Sequence, residues 1–308
     1  MKAQLFELRH TTTYDYHAPV TLSHHLLRLS PRRLPRQVRL EHRLETEPAA
    51  AGISQRTDYF GNDVAFLTIE GAHRRLCVSS HSRVAVRPAF IPDPLETPEW
   101  ESVVGACRSD RSSAVLDAIE FTYASPAIPL EPEFARYAAL SFTPRRSVLE
   151  AARELTSRIH TDFQFDTTAT TVSTPPREVL KHRRGVCQDF AHFQIACLRS
   201  IGLPARYVSG YLETIPPPGQ PRLVGADASH AWVSLFCPGI GWIDLDPTND
   251  CLPSMRHITV AWGRDYSDVS PIRGVLLGGQ EHVLTVAVDV VPLAPVELPI
   301  LASPFGIE

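Results

Sequence analysis

The stretch RRGVCQDFAHFQIACLRSIGLPA, residues 183–205, decides how the chain is read. At 3.6 residues per turn, Phe190, Ala191, Phe193, Ile195, Cys197, Leu198 and Ile201 share one broad apolar face. Gln188, Asp189, His192, Arg199 and Ser200 occupy the other. Cys187 lies in line with the apolar face but one turn above it, at the N-terminal mouth of the predicted helix. Unpaired backbone N–H groups and the helix dipole there favour a thiolate, the nucleophilic form of cysteine. Gly185 lets the chain turn tightly and a substrate come close. Cys197 has none of this and reads as core. Gln194 is the polar residue aimed into the apolar face, which predicts a buried hydrogen bond there. Taken alone, Cys187 is better explained as a small buried hydrophobe; its partners decide the matter.

Those partners lie in DASHAWVSLFCPGIGWIDLDPTND, residues 227–250, which reads as a β-hairpin turning at CPGIG. A turn centred near residue 238 sets His230 opposite Asp246, and strand alternation puts His230, Trp232 and Ser234 on one side with Trp242, Asp244 and Asp246 on the facing strand. Shifting the turn by one residue makes Asp244 the partner instead. Asp246 is preferred because Pro247 ends the ladder just after it. A cysteine nucleophile needs an imidazole to take its proton and a carboxylate to fix that ring's tautomer.

Around these two stretches the chain divides into three. From Gln4 to about Arg87 the pattern is β, with turns at DYFGND (58–63) and around Pro31 and Pro35, which predicts a β-sandwich of short strands. Residues 88–130 are rich in Pro, Glu and Ser and read as a connecting segment. Helical spacing takes over near Glu131 and is strongest in SVLEAARELTSRIH (147–160). FQFD is a short strand, PPREVLKHRR a short helix begun by proline, and ARYVSGYLE another strand. The tail, HITVAWGRDYSDVSPIRG and HVLTVAVDVV, adds further β structure. The fold class is α+β. The expected division is an N-terminal β-domain with its connecting segment over 1–125, a catalytic core over 126–255 and a C-terminal β extension over 256–308.

The 308 residues carry a formal net charge of −4, which leaves no basic footprint for nucleic acid. No run approaches the roughly 18 apolar residues of a membrane span, and the start lacks an apolar signal core. The six cysteines form no CxxC pair, so reduced thiols in a cytoplasmic protein are expected. His73, Cys77 and His81, spaced by four, share a strand face without a fourth ligand, so neither a metal nor another cofactor is expected.

GVCQDFAHFQIACLRSIGLPARYVSGYLET, DASHAWVSLF and GWIDLDPTND together resemble the transglutaminase-like superfamily. YDYHAPVTLSHHLLRLSPR and DYFGND resemble the N-terminal domain of its bacterial branch, and GRDYSDVSPIRG that branch's C-terminal extension. The resemblance implies a papain-like core in which a cysteine helix packs on an antiparallel sheet. By motif it puts the nucleophile on Cys187, the general base on His230 and the orienting carboxylate on Asp246. The Cys187 backbone N–H then serves as one oxyanion donor. It implies a peptide or amide substrate, and peptide-ligase-type partner enzymes.

Tyr211, Asp227 and Ser229, near the strand ends beside the expected cleft, are candidate substrate contacts, with residues 213–226 as a rim loop. Arg264, Asp265 and Asp268 either pair with one another or reach the cleft to hold a charged peptide group. His192 either meets substrate or a neighbouring domain, or is structurally bonded. Three functions fit: hydrolysis of peptide or isopeptide bonds, acyl transfer to amines, and peptide binding without turnover. Water is always available and no dry amine site is evident, so hydrolysis leads.

Overall fold

The computed structural model describes residues 2–215 and 229–298. It opens with strands β1 (Lys2–Leu27), β2 (Gln37–Glu47), β3 (Gly52–Thr57) and β4 (Asp63–Val86). Helices α1 (Trp100–Ser109), α2 (Ser113–Ile119), α3 (Pro132–Ala139) and α4 (Val148–Asp162) follow. Next come β5 (Gln164–Phe165), α5 (Pro176–His182), β6 (Arg184–Gly185) and α6 (Cys187–Ser200). The chain then forms β7 (Ala205–Leu212), β8 (Ser229–Cys237), β9 (Gly241–Leu245) and β10 (His257–Gly263). It closes with α7 (Tyr266–Val269), β11 (Ile272–Gly278) and β12 (His282–Glu297).

The strands gather into two main antiparallel sheets. The first runs β11-β1-β4-β2, with β12 also on β1 and β3 also on β4. The second runs β10-β7-β8-β9. The C-terminal strands are therefore shared out: β10 completes the second sheet, while β11 and β12 complete the first. The N-terminal strands are long where short ones are expected, 26 residues in β1 and 24 in β4. The β1–β4 register breaks between Asp15 and Val20 and again before Leu22, so alternation lapses there without the strand ending.

The segment 88–130 is also more ordered than its composition suggests. Val103 and Cys107 of α1, four apart, are buried, with Trp100 and Val104 packed beside them; Val115 and Ala118 do the same for α2. These helices span two or three turns among Pro and Ser, too short for periodicity to stand out.

One apolar core serves both sheets. Phe6 and Leu8 of β1, Val84 and Val86 of β4, and Val288 and Val290 of β12 join the buried cluster that holds Phe134, Leu149, Leu155 and Phe193. The polar contacts at this joint are equally specific. Strand β10 is the edge of the second sheet and carries a bulge between Thr259 and Ala261. Its outer N–H and C=O groups lie inside the molecule and need partners. Gln37 supplies them at Thr259, accepting its N–H at 2.9 Å and donating to its C=O at 2.7 Å. Asn62 does the same at Trp262, with both contacts at 2.9 Å. The Trp262 ring lies between two guanidinium groups, Arg32 at 3.4 Å from its centroid and Arg206 at 3.7 Å. No helix among the described residues is long and apolar enough to cross a membrane.

Gln37→Ala leaves the Thr259 N–H buried without its amide partner. An unsatisfied buried donor costs about 1–3 kcal/mol, so urea unfolding of this variant is expected to show a stability loss in that range. An unchanged midpoint would remove the bracing role assigned to Gln37.

Candidate active site

Helix α6 is buried along nearly its whole length, from Asp189 to Arg199, so the face expected to be polar and outward is covered as well. A helix buried all round must satisfy its polar side chains internally. Gln194 donates to Thr156 Oγ1 at 2.8 Å, the buried bond its position predicts. Arg199 donates to the carbonyls of Ala205, Tyr123 and Arg264 at 2.9, 3.1 and 2.7 Å. His192 accepts the backbone N–H of Tyr266 at 3.1 Å, and burial pushes its pKa down to about 4, so it is a neutral structural acceptor.

Asp189 was not legible as a site residue. Its Oδ2 reaches back to the N–H of Val186 at 2.7 Å and accepts from Thr170 at 2.6 Å, tying the helix mouth to the preceding loop. This also gives Gly185 a reason different from substrate approach: a Cβ there would sit 2.6 Å from the Asp189 carboxylate. Held in this way, Cys187 starts the helix half-exposed, with every other residue from Asp189 to Arg199 sealed behind it.

The hairpin turns one residue later than expected. Cys237 pairs with Gly241 and Val233 with Leu245, which centres the turn on residue 239. Asp246 therefore lies diagonally from His230 across the strands rather than directly opposite, and the two still bond, His230 Nε2 to Asp246 Oδ2 at 2.7 Å. With Nε2 engaged there, Nδ1 is the nitrogen left to face Cys187, whose side chain lies close enough to raise the pKa of this ring. Asp244 is excluded as the partner: it sits opposite Ser234 and takes Arg36 at 3.3 Å.

Asp246 is fully buried and held by five donors. Its Oδ1 accepts the N–H groups of Thr248 at 2.9 Å and Asn249 at 3.2 Å, an Asx turn written in the sequence DPTN. Its Oδ2 accepts from His230, from the Asn249 amide at 2.7 Å and from His257 at 3.0 Å. Burial alone would raise its pKa, but the bonds from His230, His257 and Asn249 and the charge of His230 hold it well below the usual carboxylate range. Burial likewise opposes a charged His230. The bonds to Asp246 and Cys187 and the charges of both outweigh it and push His230 up to about 10. Asn249 and His257 carry no signal in spacing: one closes a turn, and the other arrives on a strand from a different part of the sheet.

His230, Asp246 and His257 present three ligand atoms within 4.8 Å of one another, a set of types that metals accept. The Asn249 amide nitrogen lies 2.7 Å from Asp246 Oδ2 and 3.3 Å from His230 Nε2, filling the space between them with a donor. Hydrogen bonds account for this cluster. His73, Cys77 and His81 lie on the single strand β4, about 13 Å apart at each step of four residues, too far to share an ion.

The candidate substrate contacts are mostly engaged elsewhere. Tyr211 is buried, and its hydroxyl bonds His10 Nδ1 of β1 at 2.9 Å, making it a joint between the sheets rather than a cleft residue. Ser229 is exposed at the start of β8. Asp227 and residues 216–226 of the expected rim loop lie outside the described residues. Arg264 and Asp268 bind each other through two contacts of 2.9 and 3.0 Å. Asp265 is buried and caps α7, accepting from Ser267 N–H at 2.8 Å and from Ala127 N–H at 3.0 Å. Mutual pairing, the first alternative, describes Arg264 and Asp268, while Asp265 is taken up by the cap. A cavity of about 740 Å³ does open beside the helix mouth, lined by Asp166, Thr168, Thr170, Glu178, His182 and Arg184.

Residues 6–85 match the family model of the bacterial transglutaminase-like N-terminal region, and residues 136–247 that of the transglutaminase-like superfamily. An uncharacterized protein of Mycobacterium tuberculosis is 43% identical over 296 residues, covering 93% of this chain and 92% of the relative. A protein-glutamine gamma-glutamyltransferase of Pseudomonas aeruginosa is 36% identical over 93 residues, 30% of this chain and 12% of that protein. A crystal structure of a candidate cysteine protease from Cytophaga hutchinsonii superposes with a TM-score of 0.76 at 21% identity, covering 98% of this chain and 94% of that one. The chain belongs to the transglutaminase-like superfamily, carrying the superfamily core behind a bacterial N-terminal β region.

Proposed function

We propose that this protein is a cysteine-dependent amide-bond enzyme in which Cys187 attacks, His230 moves the proton and Asp246 holds the ring. The observation that carries the reading is the buried His230–Asp246 bond of 2.7 Å, with Cys187 at the mouth of α6 close enough to raise the pKa of the same ring. At neutral pH the raised His230 is an imidazolium beside the sulfur, so a positive charge and a transferable proton are in place before substrate arrives.

The thiolate attacks the carbonyl carbon, and the C=O electrons move onto oxygen. The Cys187 backbone N–H, among the first-turn donors that a helix leaves unpaired, stabilises that oxyanion. The C–N bond breaks as His230 gives its proton to the leaving nitrogen, and a thioester remains. Water then loses a proton to His230 while its oxygen adds to the thioester. The C–S bond breaks, and the product acid and the imidazolium–thiolate pair are restored. Hydrolysis is the leading outcome because water needs no site of its own. Transfer to an amine is the second reading, favoured by the similarity over 93 residues to the Pseudomonas glutamyltransferase.

Incubation with a peptide library, with and without a primary amine, is expected to give products heavier by water on cleavage. Incorporation of the amine instead would select the second reading. Cys187→Ala is expected to abolish turnover with the fold intact, and Asp246→Asn to lower kcat by as much as about 10⁴-fold, as loss of the carboxylate does in related triads. Full activity in Cys187→Ala ends the proposal.

Limited labelling with iodoacetamide at pH 7 is expected to modify Cys187 first. Burial pushes Cys237 and Cys251 up to about 11, and raises Cys107 and Cys197 as well. Peptide mapping that finds any of these four modified before Cys187 contradicts the reading.

Stability should report the same pair. The folded pKa of His230 lies above its ordinary 6.5, so the stabilisation from its proton is complete below about pH 6.5 and is lost as the pH rises through about 10. Urea unfolding from pH 6 to 10 is expected to show a shallower alkaline decline in His230→Gln than in the wild type. Identical slopes would mean that this ring holds no extra proton in the folded state.

A further inference from the structure

His257 is the unassigned member of the group around Asp246, and its geometry is fixed from both ends. It opens β10 at 1% exposure. Its Nδ1 accepts the backbone N–H of Ser254 at 3.3 Å, so a neutral ring must carry its hydrogen on Nε2. That Nε2 faces Asp246 Oδ2 at 3.0 Å and donates to it. The ring stands nearly perpendicular to Trp232, at 5.3 Å and 83°, and lies 5.9 Å from His230. Two residues along the same strand, Gln37 clamps Thr259, so the ring sits on backbone held from the N-terminal sheet.

We propose that His257 is a positioning residue for the Cys187–His230 pair: a neutral donor that fixes the direction of the Asp246 carboxylate and leaves its charge entirely to His230. The inference deepens the amide-bond reading and takes the roles of Cys187, His230 and Asp246 from it. Removing the His257 donor leaves Oδ2 held by Asn249 and His230 alone, and the less firmly set carboxylate lets the His230 ring turn its other nitrogen away from sulfur. Neutrality matters as much as the bond. A second imidazolium 5.9 Å from His230 would repel the first and weaken the thiolate. The charged and titratable groups facing His257 are Asp246 and His230, with Asp244 farther off; burial is the largest influence and lowers its pKa, against the attraction of Asp246.

The test uses the full chain and reads the sulfur rather than amide turnover. Iodoacetamide alkylation at residue 187, followed by peptide mass across pH 5–9, compares the wild type with His257→Gln and His257→Leu. The Leu variant is expected to react more slowly at pH 6, by about tenfold for each unit by which its profile moves toward that of an ordinary thiol. The Gln variant, whose amide donates from nearly the same place, is expected to stay within about threefold of the wild type, since a factor of ten corresponds to a whole unit. A folded Leu variant with the wild-type profile overturns the proposal, as does a Gln variant as slow as Leu, which would leave only packing. Nitrogen-15 NMR of histidine in the wild type needs no variant to fold. At pH 7 it should show His257 as the neutral Nε2–H tautomer; the Nδ1–H form or an imidazolium overturns the proposal. Because none of these readouts involves an amide substrate, failure to cleave amides would count against the function while leaving the role of His257 to be judged on its own.

Discussion

The carboxylate of Asp246 is where the demands of the fold and of the chemistry meet. Taking a carboxylate out of water costs several kcal/mol unless its lone pairs are filled, and a buried acid otherwise escapes by taking up a proton. Here two backbone amides, one side-chain amide and two imidazoles fill them. The acid therefore stays ionised though buried, and its charge draws a proton onto His230. That proton in turn puts a positive charge beside Cys187. Each step depends on the previous one: a neutral Asp246 would leave a neutral ring beside the sulfur.

A site of this kind requires rigid support, and helix α6 provides it by an unusual route. Its polar residues do not face solvent. Asp189, His192, Gln194 and Arg199 each bond to a different neighbouring segment, namely the loop before the helix, α7, α4 and the strand and loop backbones around it. Four polar anchors around the circumference fix the helix against both rotation and sliding, which an apolar stripe alone would resist less well. The Asp246 loop is pinned from the other side by α4, through Ser157 to Asp250 at 2.6 Å and His160 to the Thr248 carbonyl at 2.9 Å. Cys187 and Asp246 are thus referred to the same helical scaffold.

Much of this was legible in the sequence, and the parts that were not have a common cause. The periodicity of 187–201 gives the helix, its mouth and the buried bond of Gln194, because these depend on spacing within one element. Alternation in 230–246 gives the right strands and the right face. It misses the turn by one residue because CPGIG offers several positions for the reversal, and the choice made, with Gly239 and Gly241 at positive φ, lies in local backbone geometry rather than spacing. Asp189 and His192 read as outward because helix period reports a face and not what covers it. Their covers, the 166–174 loop and α7, come from distant parts of the chain. His257 was invisible for the same reason. It reaches Asp246 only because β10 joins the sheet beside β7, at the opposite edge from β9, the strand that leads into Asp246. Tyr211 looked available because its partner, His10, is 201 residues away.

The N-terminal region finds its reason in that same strand. As the outer strand of the second sheet, bulged after Thr259, β10 would by itself present unpaired N–H and C=O groups and the flat face of Trp262. Gln37 and Asn62 act on it as a neighbouring strand would, one amide group per residue, while Arg32 covers the indole. The first sheet also engages the core through His10 and Tyr211, and through Arg36 and Asp244. Each of these contacts ends on the sheet that bears the site, and none of them on Cys187 or His230. The two regions belong in one chain on this view because the second sheet is incomplete at its edge, and the edge carries an imidazole bonded to the carboxylate on which the site depends.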